Sequence, residues 1–151
     1  MPPFSARTAR RVAADVFAAL RPGDIVFFDG PHRAFMNSDA VVFCLEVLPS
    51  LQDAVLVGMH DILLPCDYPP HWAERCYFEQ YPPACHLLAE DHRAAPLLLC
   101  HSVSLDERLS AILDPLWRDQ RFRGLNMPAY AFWLTTGGSE GVDPRPIDAA
   151  A

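Results

Sequence analysis

The chain has 151 residues, of which 51% are hydrophobic, and a formal net charge of -7 at pH 7. This length and composition predict one domain with its own core, while an acidic chain with few clustered arginines is not expected to bind nucleic acid or an anionic membrane surface. Because no apolar stretch reaches the roughly 18 residues of a membrane span and the N-terminus lacks the apolar segment of a signal peptide, we expect a cytoplasmic protein.

The first predicted element is an amphipathic helix. Ser5 is placed to cap it, and the apolar positions between Ala9 and Leu20 fall on one face before Arg-Pro-Gly-Asp ends the pattern. A helix with such a face requires a sheet or another helix to cover it.

Two apolar runs separated by a helical pattern predict a βαβ unit. The runs at 25–28 and 54–59 are short and continuous, which is typical of strands buried on both faces. Asn37 or Ser38 can cap the helix between them, whose apolar residues keep helical spacing: Val41, Val42, Leu45 and Leu48. We therefore expect an α/β sheet in which these two strands are parallel and the helix crosses between them.

The second half of the chain continues the alternation of helices and strands. Residues 71–81 have helical composition, and 84–92 extend or restart that helix after a kink or break at Pro82 and Pro83. A third strand is predicted in 96–105, a helix in 106–117 and an aromatic final strand in 129–136. The tail from 137 to 151 has little to pack against, and we expect it to be disordered.

The cysteines give no sign of a disulfide framework or a thiolate metal site. They number five, at positions 44, 66, 76, 85 and 100, and no two of them form a Cys-x-x-Cys pair. A structural zinc site built from them is therefore not expected.

Ionisable residues follow the predicted strands at the points where these strands end. Asp29 and His32 follow the first strand, His60 and Asp61 follow the second, and His101 with Ser102 lies near the end of the third. Ligands of open α/β sheets bind outside the carboxyl ends of the strands, so we expect these side chains to meet in one crevice.

Two interpretations of this group of residues stay open. Carboxylates from adjacent strands can hold a divalent cation such as magnesium, and an imidazole can take a proton from a substrate hydroxyl. In the alternative, Asp29 caps its own loop and His60 bonds Asp61 within a turn. We interpret Glu79, Gln80 and Tyr81 as a solvated or packing face of a helix.

Three segments carry a family resemblance: GDIVFFDGPHRAFMNSDAVVFCLEVLPSL, AVLVGMHDILLPCDYPPHW and EQY. Together they resemble the small-molecule type of class I S-adenosylmethionine-dependent methyltransferase, with a strand ending in Asp-x-x-His and a later His-Asp-Ile. The resemblance runs from about Ser5 to Leu134. It implies a Rossmann-like sheet flanked by helices, of which residues 1–136 form the C-terminal half: the fourth to seventh strands, mostly parallel with an antiparallel last strand.

The resemblance also implies roles for individual residues. Asp29 and Asp61 match the acidic positions at which metal-assisted relatives bind a divalent ion, here magnesium. His32 and His60 match the family's histidines, which implies a base or a substrate-orienting role. Tyr68 lies in the loop that would border the pocket for a small-molecule acceptor.

The sequence lacks the motif by which that family binds its cofactor. It contains no Gly-x-Gly-x-Gly, so the half that contacts S-adenosylmethionine is expected to be missing and the chain to be truncated and inactive alone. One alternative is a noncatalytic partner that complements a separate cofactor-binding chain. Another is a homo-oligomer, such as a plain dimer that buries the open edge of the sheet.

Overall fold

The computed structural model describes residues 15–89, 93–124 and 129–137. They form an α/β fold around one mixed sheet of four strands: β1 (Ile25–Phe28), β2 (Leu56–Met59), β3 (Ala94–Leu99) and β4 (Phe132–Thr136). The strand order is β1-β2-β4-β3. β1 pairs with β2 in parallel, whereas β4 is antiparallel to both β2 and β3.

Short helices flank the sheet. Residues 15–18 are helical, and the prediction of a first helix capped by Ser5 otherwise lies outside the described residues, as does the tail from 138. The later helices are α1 (Asp39–Val42), which continues as a π-helix (Phe43–Val47) and a 3-10 turn (Leu48–Ser50), α2 (Pro70–Ala73), α3 (Tyr81–Leu88), α4 (Cys100–Leu105), α5 (Glu107–Ser110) and α6 (Asp114–Trp117). Within the described ranges, no helix has the length and apolar character needed to cross a membrane.

The predicted βαβ unit is confirmed. β1 and β2 are parallel neighbours in a register that joins Ile25 to Leu56 and Phe28 to Met59, and α1 crosses between them. Of the two candidate caps, Ser38 caps α1: its Oγ accepts hydrogen bonds from the backbone N–H groups of Val41 and Phe35. Local apolar runs and a capping residue were sufficient to predict this unit.

The buried face of α1 differs from the predicted one. Leu45, expected to face the core, is 60% exposed, and the buried residues are Ala40, Phe43, Cys44 and Leu48. Nearly every position from 40 to 48 is apolar, so the spacing is compatible with more than one buried helix face. Contact with the sheet determines which face is buried.

β1 was expected to be buried on both faces, and this is wrong. Ile25 is 60% and Phe27 49% exposed, whereas Val26 and Phe28 pack against the core. β1 ends the strand order, and the described residues leave the side of the sheet that carries Ile25 and Phe27 partly uncovered. We call these two residues the outer β1 face.

Two further boundaries differ from the predicted ones. The strand expected over 96–105 ends at Leu99, which pairs with Phe132, the first residue of β4; the segment after Leu99 therefore has no strand to pair with and forms α4. The helix expected over 71–81 ends at Ala73, and Pro82 and Pro83 lie in the first turn of α3. Proline is tolerated there because the first N–H groups of a helix have no intrahelical partner.

The core lies between α1 and the inner side of the sheet. Its buried strand and loop residues are Leu51, Val55, Val57, Met59, Ile62, Phe132 and Leu134, which pack with the buried residues of α1 and its continuation. Cys44 is part of this core and is fully buried. Burial raises the pKa of its thiol to about 12, and the charge of Glu79 acts in the same direction.

We expect Cys44 to resist alkylation in the folded protein. With iodoacetamide at about pH 8, the exposed Cys76 and Cys85 should react at least about tenfold faster than Cys44, because the thiolate is the nucleophile and Cys44 is both buried and protonated. Mass spectrometry of peptides after timed quenching measures each rate. In guanidinium the differences should vanish, whereas equal rates in the native protein would mean that α1 does not pack as described.

Candidate functional site

Polar side chains gather where the parallel strands β1 and β2 end. Asp29 directly follows β1, and His60 and Asp61 directly follow β2; the backbone N–H of His60 donates to the carbonyl of Phe28 at 2.9 Å, which keeps the two strand ends side by side. His32 reaches the same place from the loop after β1. Four residues predicted from separate strand ends are thus brought together.

Asp61 connects the two histidines. Its Oδ1 lies 3.0 Å from His60 Nδ1, and its Oδ2 lies 3.5 Å from His32 Nδ1. Its backbone is in the left-handed region with φ of 55°, which aspartate tolerates better than most residues. The hydroxyl of Tyr68 donates to the Asp61 carbonyl at 2.9 Å and so holds this turn in place.

Asp29 lies at the open side of the group. Its carboxylate is largely exposed and lies 3.9 Å from His60 Nδ1. His60 Nδ1 thus lies within 4 Å of both carboxylates, while an approach of Asp29 to Asp61 close enough to share a cation stays a prediction. Metal binding by Asp29 stays a prediction.

Glu79 belongs to the same group and was not predicted to. Its Oε1 lies 2.5 Å from His32 Nδ1, although the two residues are 47 positions apart, and its side chain is 1% exposed. The interpretation of Glu79, Gln80 and Tyr81 as one helical face holds only for Tyr81, which begins α3; Glu79 and Gln80 lie in the turn before that helix and are buried. Nothing in their local pattern indicates this burial; the one sequence signal is that EQY belongs to the segments that carry the family resemblance. We call Asp29, His32, His60, Asp61 and Glu79 the carboxyl-edge cluster.

Gln80 supports the cluster from behind. Its Oε1 accepts a hydrogen bond from the backbone N–H of Leu63 at 3.1 Å, and its Nε2 donates to the carbonyl of Cys66 at 3.3 Å. These bonds fix the loop after Asp61 against the turn that carries Glu79. The segments that carry Asp61 and Glu79 are thereby linked to one another.

The cluster concentrates negative charge. In the described part of the chain, the ion-pair partners of Asp29, Asp61 and Glu79 are histidines, which are charged only when protonated. Burial raises the pKa of Glu79 to about 7, even though its hydrogen bond to His32 acts to lower it. Near neutral pH the carboxyl of Glu79 is therefore divided between its protonated and ionised forms.

An aromatic wall borders the cluster, made by Tyr68, Trp72, Tyr77 and Tyr130. The ring of Trp72 lies 5.5, 5.4 and 5.1 Å from the rings of the three tyrosines, respectively, and Tyr77 lies 4.4 Å from the ring of His32. Tyr68, predicted to border the acceptor pocket, is buried in this wall. Burial raises the pKa of its phenol, so its hydroxyl stays protonated and donates to Asp61.

The arrangement can perform acid–base chemistry and can hold a cation. If His60 donates its Nδ1 hydrogen to Asp61, its Nε2 keeps a lone pair that can accept a proton, which is the usual result of pairing an imidazole with a carboxylate. Within the described residues, His32, Asp61 and Glu79 also form a group whose potential ligand atoms all lie within 4.8 Å of one another. Asp29 does not belong to that group.

A large apolar cavity lies elsewhere in the fold. It has a volume of about 690 Å³ and is lined by residues of β3 and of the helices that follow it, among them Leu98, Val103, Leu109, Leu113 and Trp117. No member of the carboxyl-edge cluster lines this cavity. The carboxyl-edge cluster and this apolar cavity are thus separate features.

Comparison of the chain with protein-family models, with curated proteins and with solved structures found no match. The interpretation of the site therefore depends on its own geometry. The methyltransferase resemblance stays a prediction from the sequence.

Proposed function

We propose that this chain forms the acceptor-binding half of a class I methyltransferase-like domain, which serves methyl transfer to an oxygen or nitrogen of a small molecule. The observation that carries the proposal is the carboxyl-edge cluster: two histidines and three carboxyls that meet at the carboxyl ends of the parallel strands β1 and β2. Open α/β sheets bind their ligands at this edge.

The sheet supports this proposal. β1 and β2 are parallel, β4 is antiparallel to both β2 and β3, and so three strands share one direction while the last strand in sequence runs against them. A partial Rossmann-like sheet made of the fourth to seventh strands of that family would have this mixture of directions.

The residues suggest how an acceptor would be prepared. An acceptor hydroxyl or protonated amine must lose its proton to become a good nucleophile, and His60, held between Asp61 and Asp29, takes that proton at Nε2. Both carboxylates stabilise the imidazolium that results. His32, held by its hydrogen bond to the buried Glu79, orients the acceptor. The aromatic wall provides a surface against which an aromatic or cationic acceptor can pack.

S-adenosylmethionine would supply the methyl group. The sequence contains no Gly-x-Gly-x-Gly, the motif whose close backbone approach holds the cofactor of Rossmann-like domains. We therefore assign no residue of this chain to the cofactor, whose binding would need a complementing polypeptide segment.

A second candidate function is that of a noncatalytic partner for a cofactor-binding chain. It is favoured by the outer β1 face, which leaves Ile25 and Phe27 half or more exposed at the end of the strand order. In this alternative, the complementing segment binds at the β1 edge of the sheet, and the carboxyl-edge cluster performs no chemistry.

Two titrations test the proposal. By calorimetry we expect the chain to bind S-adenosylmethionine more weakly than about 100 μM, since the main cofactor contacts are absent. By NMR we expect at least one compound in a panel of phenols, catechols and amines to shift the ring signals of His32 and His60, and we expect His60→Gln to weaken that binding.

Each titration can contradict part of the proposal. Micromolar binding of S-adenosylmethionine by the chain alone would mean that the cofactor site lies within these residues. If no acceptor in the panel moves either histidine, the acceptor-binding role is contradicted and the noncatalytic alternative is preferred.

A further inference from the structure

We propose that His32, Asp61 and Glu79 form a binding site for one divalent transition-metal ion of the zinc and manganese class. The inference goes beyond the proposed function, because it requires neither a methyl donor nor an acceptor. It also differs from the magnesium site predicted from the sequence, since it includes His32 and Glu79 and leaves Asp29 out.

The geometry of the three ligand atoms suits one ion. They come from three segments, the loop after β1, the end of β2 and the turn before α3, and all lie within 4.8 Å of one another. Two nitrogen or oxygen ligands of a tetrahedral zinc ion, each bonded at about 2.1 Å, lie about 3.4 Å apart. His32 Nδ1 and Asp61 Oδ2 are 3.5 Å apart, so this pair already has the required spacing.

The third ligand needs a small movement. His32 Nδ1 and Glu79 Oε1 are 2.5 Å apart, which is a hydrogen-bonding distance, and coordination would lengthen it by about 1 Å. The proton shared by these two atoms would leave, because both ligands bind a metal in their deprotonated forms. The hydrogen bond thus holds the two side chains near their coordinating positions.

Burial and charge favour a cation at this point. Glu79 is 1% exposed, and its ion-pair partner among the described residues is a histidine rather than an arginine. Buried carboxylates in proteins are paired with a cation or coordinate a metal. A divalent ion would neutralise Glu79 and Asp61 together, whereas His32 and His60 could do so only if both were protonated.

The donor set selects the class of metal. One imidazole and two carboxylates suit zinc, manganese and iron, whereas magnesium prefers oxygen ligands and keeps most of its water. Three protein ligands also leave a coordination position open, as in catalytic rather than structural zinc sites. His60, 3.0 Å from the other oxygen of Asp61, would then orient this ligand from outside the coordination sphere.

The first test titrates the full chain after removal of metals with a chelator. We expect Zn²⁺ and Co²⁺ to bind with a stoichiometry of one, and Mg²⁺ to bind at least about a hundredfold more weakly. The absorption spectrum of the Co²⁺ complex should lack an intense near-ultraviolet sulfur-to-metal band, because the proposed ligands include no thiolate. That spectrum separates the proposed site from adventitious binding to the five free cysteines.

The second test uses variants. We expect Glu79→Gln and His32→Asn to weaken Zn²⁺ binding at least about tenfold, and Glu74→Gln, the same change at an exposed glutamate, to leave it unchanged. Asp29→Asn should change it by less than about threefold. Circular dichroism of each variant establishes whether it is folded. If Glu79→Gln does not fold because a buried carboxylate has been lost, His32→Asn at the partly exposed histidine still tests the site.

Several results would overturn the proposal: no binding of Zn²⁺ or Co²⁺, a thiolate band in the Co²⁺ spectrum, unchanged affinity in folded Glu79→Gln or His32→Asn, or an equal loss in Asp29→Asn. The last result would instead favour the two-aspartate site predicted from the sequence. None of them bears on the acceptor titration, so failure of the metal site and failure of the proposed function are distinguishable.

Discussion

Replacing Phe132 with alanine is expected to lower the free energy of unfolding by about 3–5 kcal/mol. Phe132 is fully buried and is the first residue of β4. It pairs with Met59, the residue that directly precedes His60 and Asp61. The substitution removes apolar surface from the core and leaves a cavity beneath the end of β2. Since small domains are stable by about 5–15 kcal/mol, this is a large fraction of the total.

Urea denaturation followed by circular dichroism measures the effect of Phe132→Ala. The matched control is Phe35→Ala, because Phe35 is 61% exposed and its loss should change the free energy of unfolding by no more than about 0.5 kcal/mol. If both variants lose the same stability, the core is not centred on β2 and β4. NMR of Phe132→Ala should also show shifted His60 signals, since Phe132 pairs with Met59, the residue directly before His60.

The second expected result is self-association of the isolated chain, weakened at least about tenfold by Ile25→Lys. β1 lies at the end of the strand order, and its outer face carries exposed Ile25 and Phe27. An apolar edge strand is a template for pairing with another chain, and a lysine on that strand is a common natural means of preventing it. Sedimentation velocity over a range of protein concentrations gives the association constants.

Ile112→Lys is the control for this experiment. Ile112 is 71% exposed and lines the apolar cavity near α5 and α6, in a different part of the surface. We expect it to leave association unchanged. A wild-type chain that stays monomeric at all concentrations would contradict the prediction, and dissociation by Ile112→Lys in place of Ile25→Lys would assign the contact to the cavity surface instead.

The parts of the fold that follow from local pattern were predictable. The parallel pair β1 and β2 follows from two short apolar runs on either side of a capped helix, and Ser38 is a strong N-cap residue next to an acidic first turn. The partial exposure of β1 could not be read from the apolar run itself, because burial depends on what covers the strand.

Features that depend on distant contacts were not predictable. The end of β3 is set by where β4 begins, so Cys100 and the residues after it, which are compatible with a strand in composition, form a helix instead. Asp29, His32, His60 and Asp61 could be placed because strand ends of a parallel sheet share an edge. Glu79 could not be placed, because its link to His32 spans 47 positions and the local pattern around Glu79 indicates neither its burial nor this partner.

The central position of β4 has a consequence for the nascent chain. β4 follows the other three strands in the sequence, yet it lies between β2 and β3. At roughly 5–20 residues per second, several seconds of translation separate completion of β2 from completion of β4. Throughout that interval β2 presents an unpaired edge, and β3, once it has been made, cannot join the sheet until β4 follows. The sheet therefore closes in one late step, and until then the nascent chain exposes strand edges that are prone to aggregation.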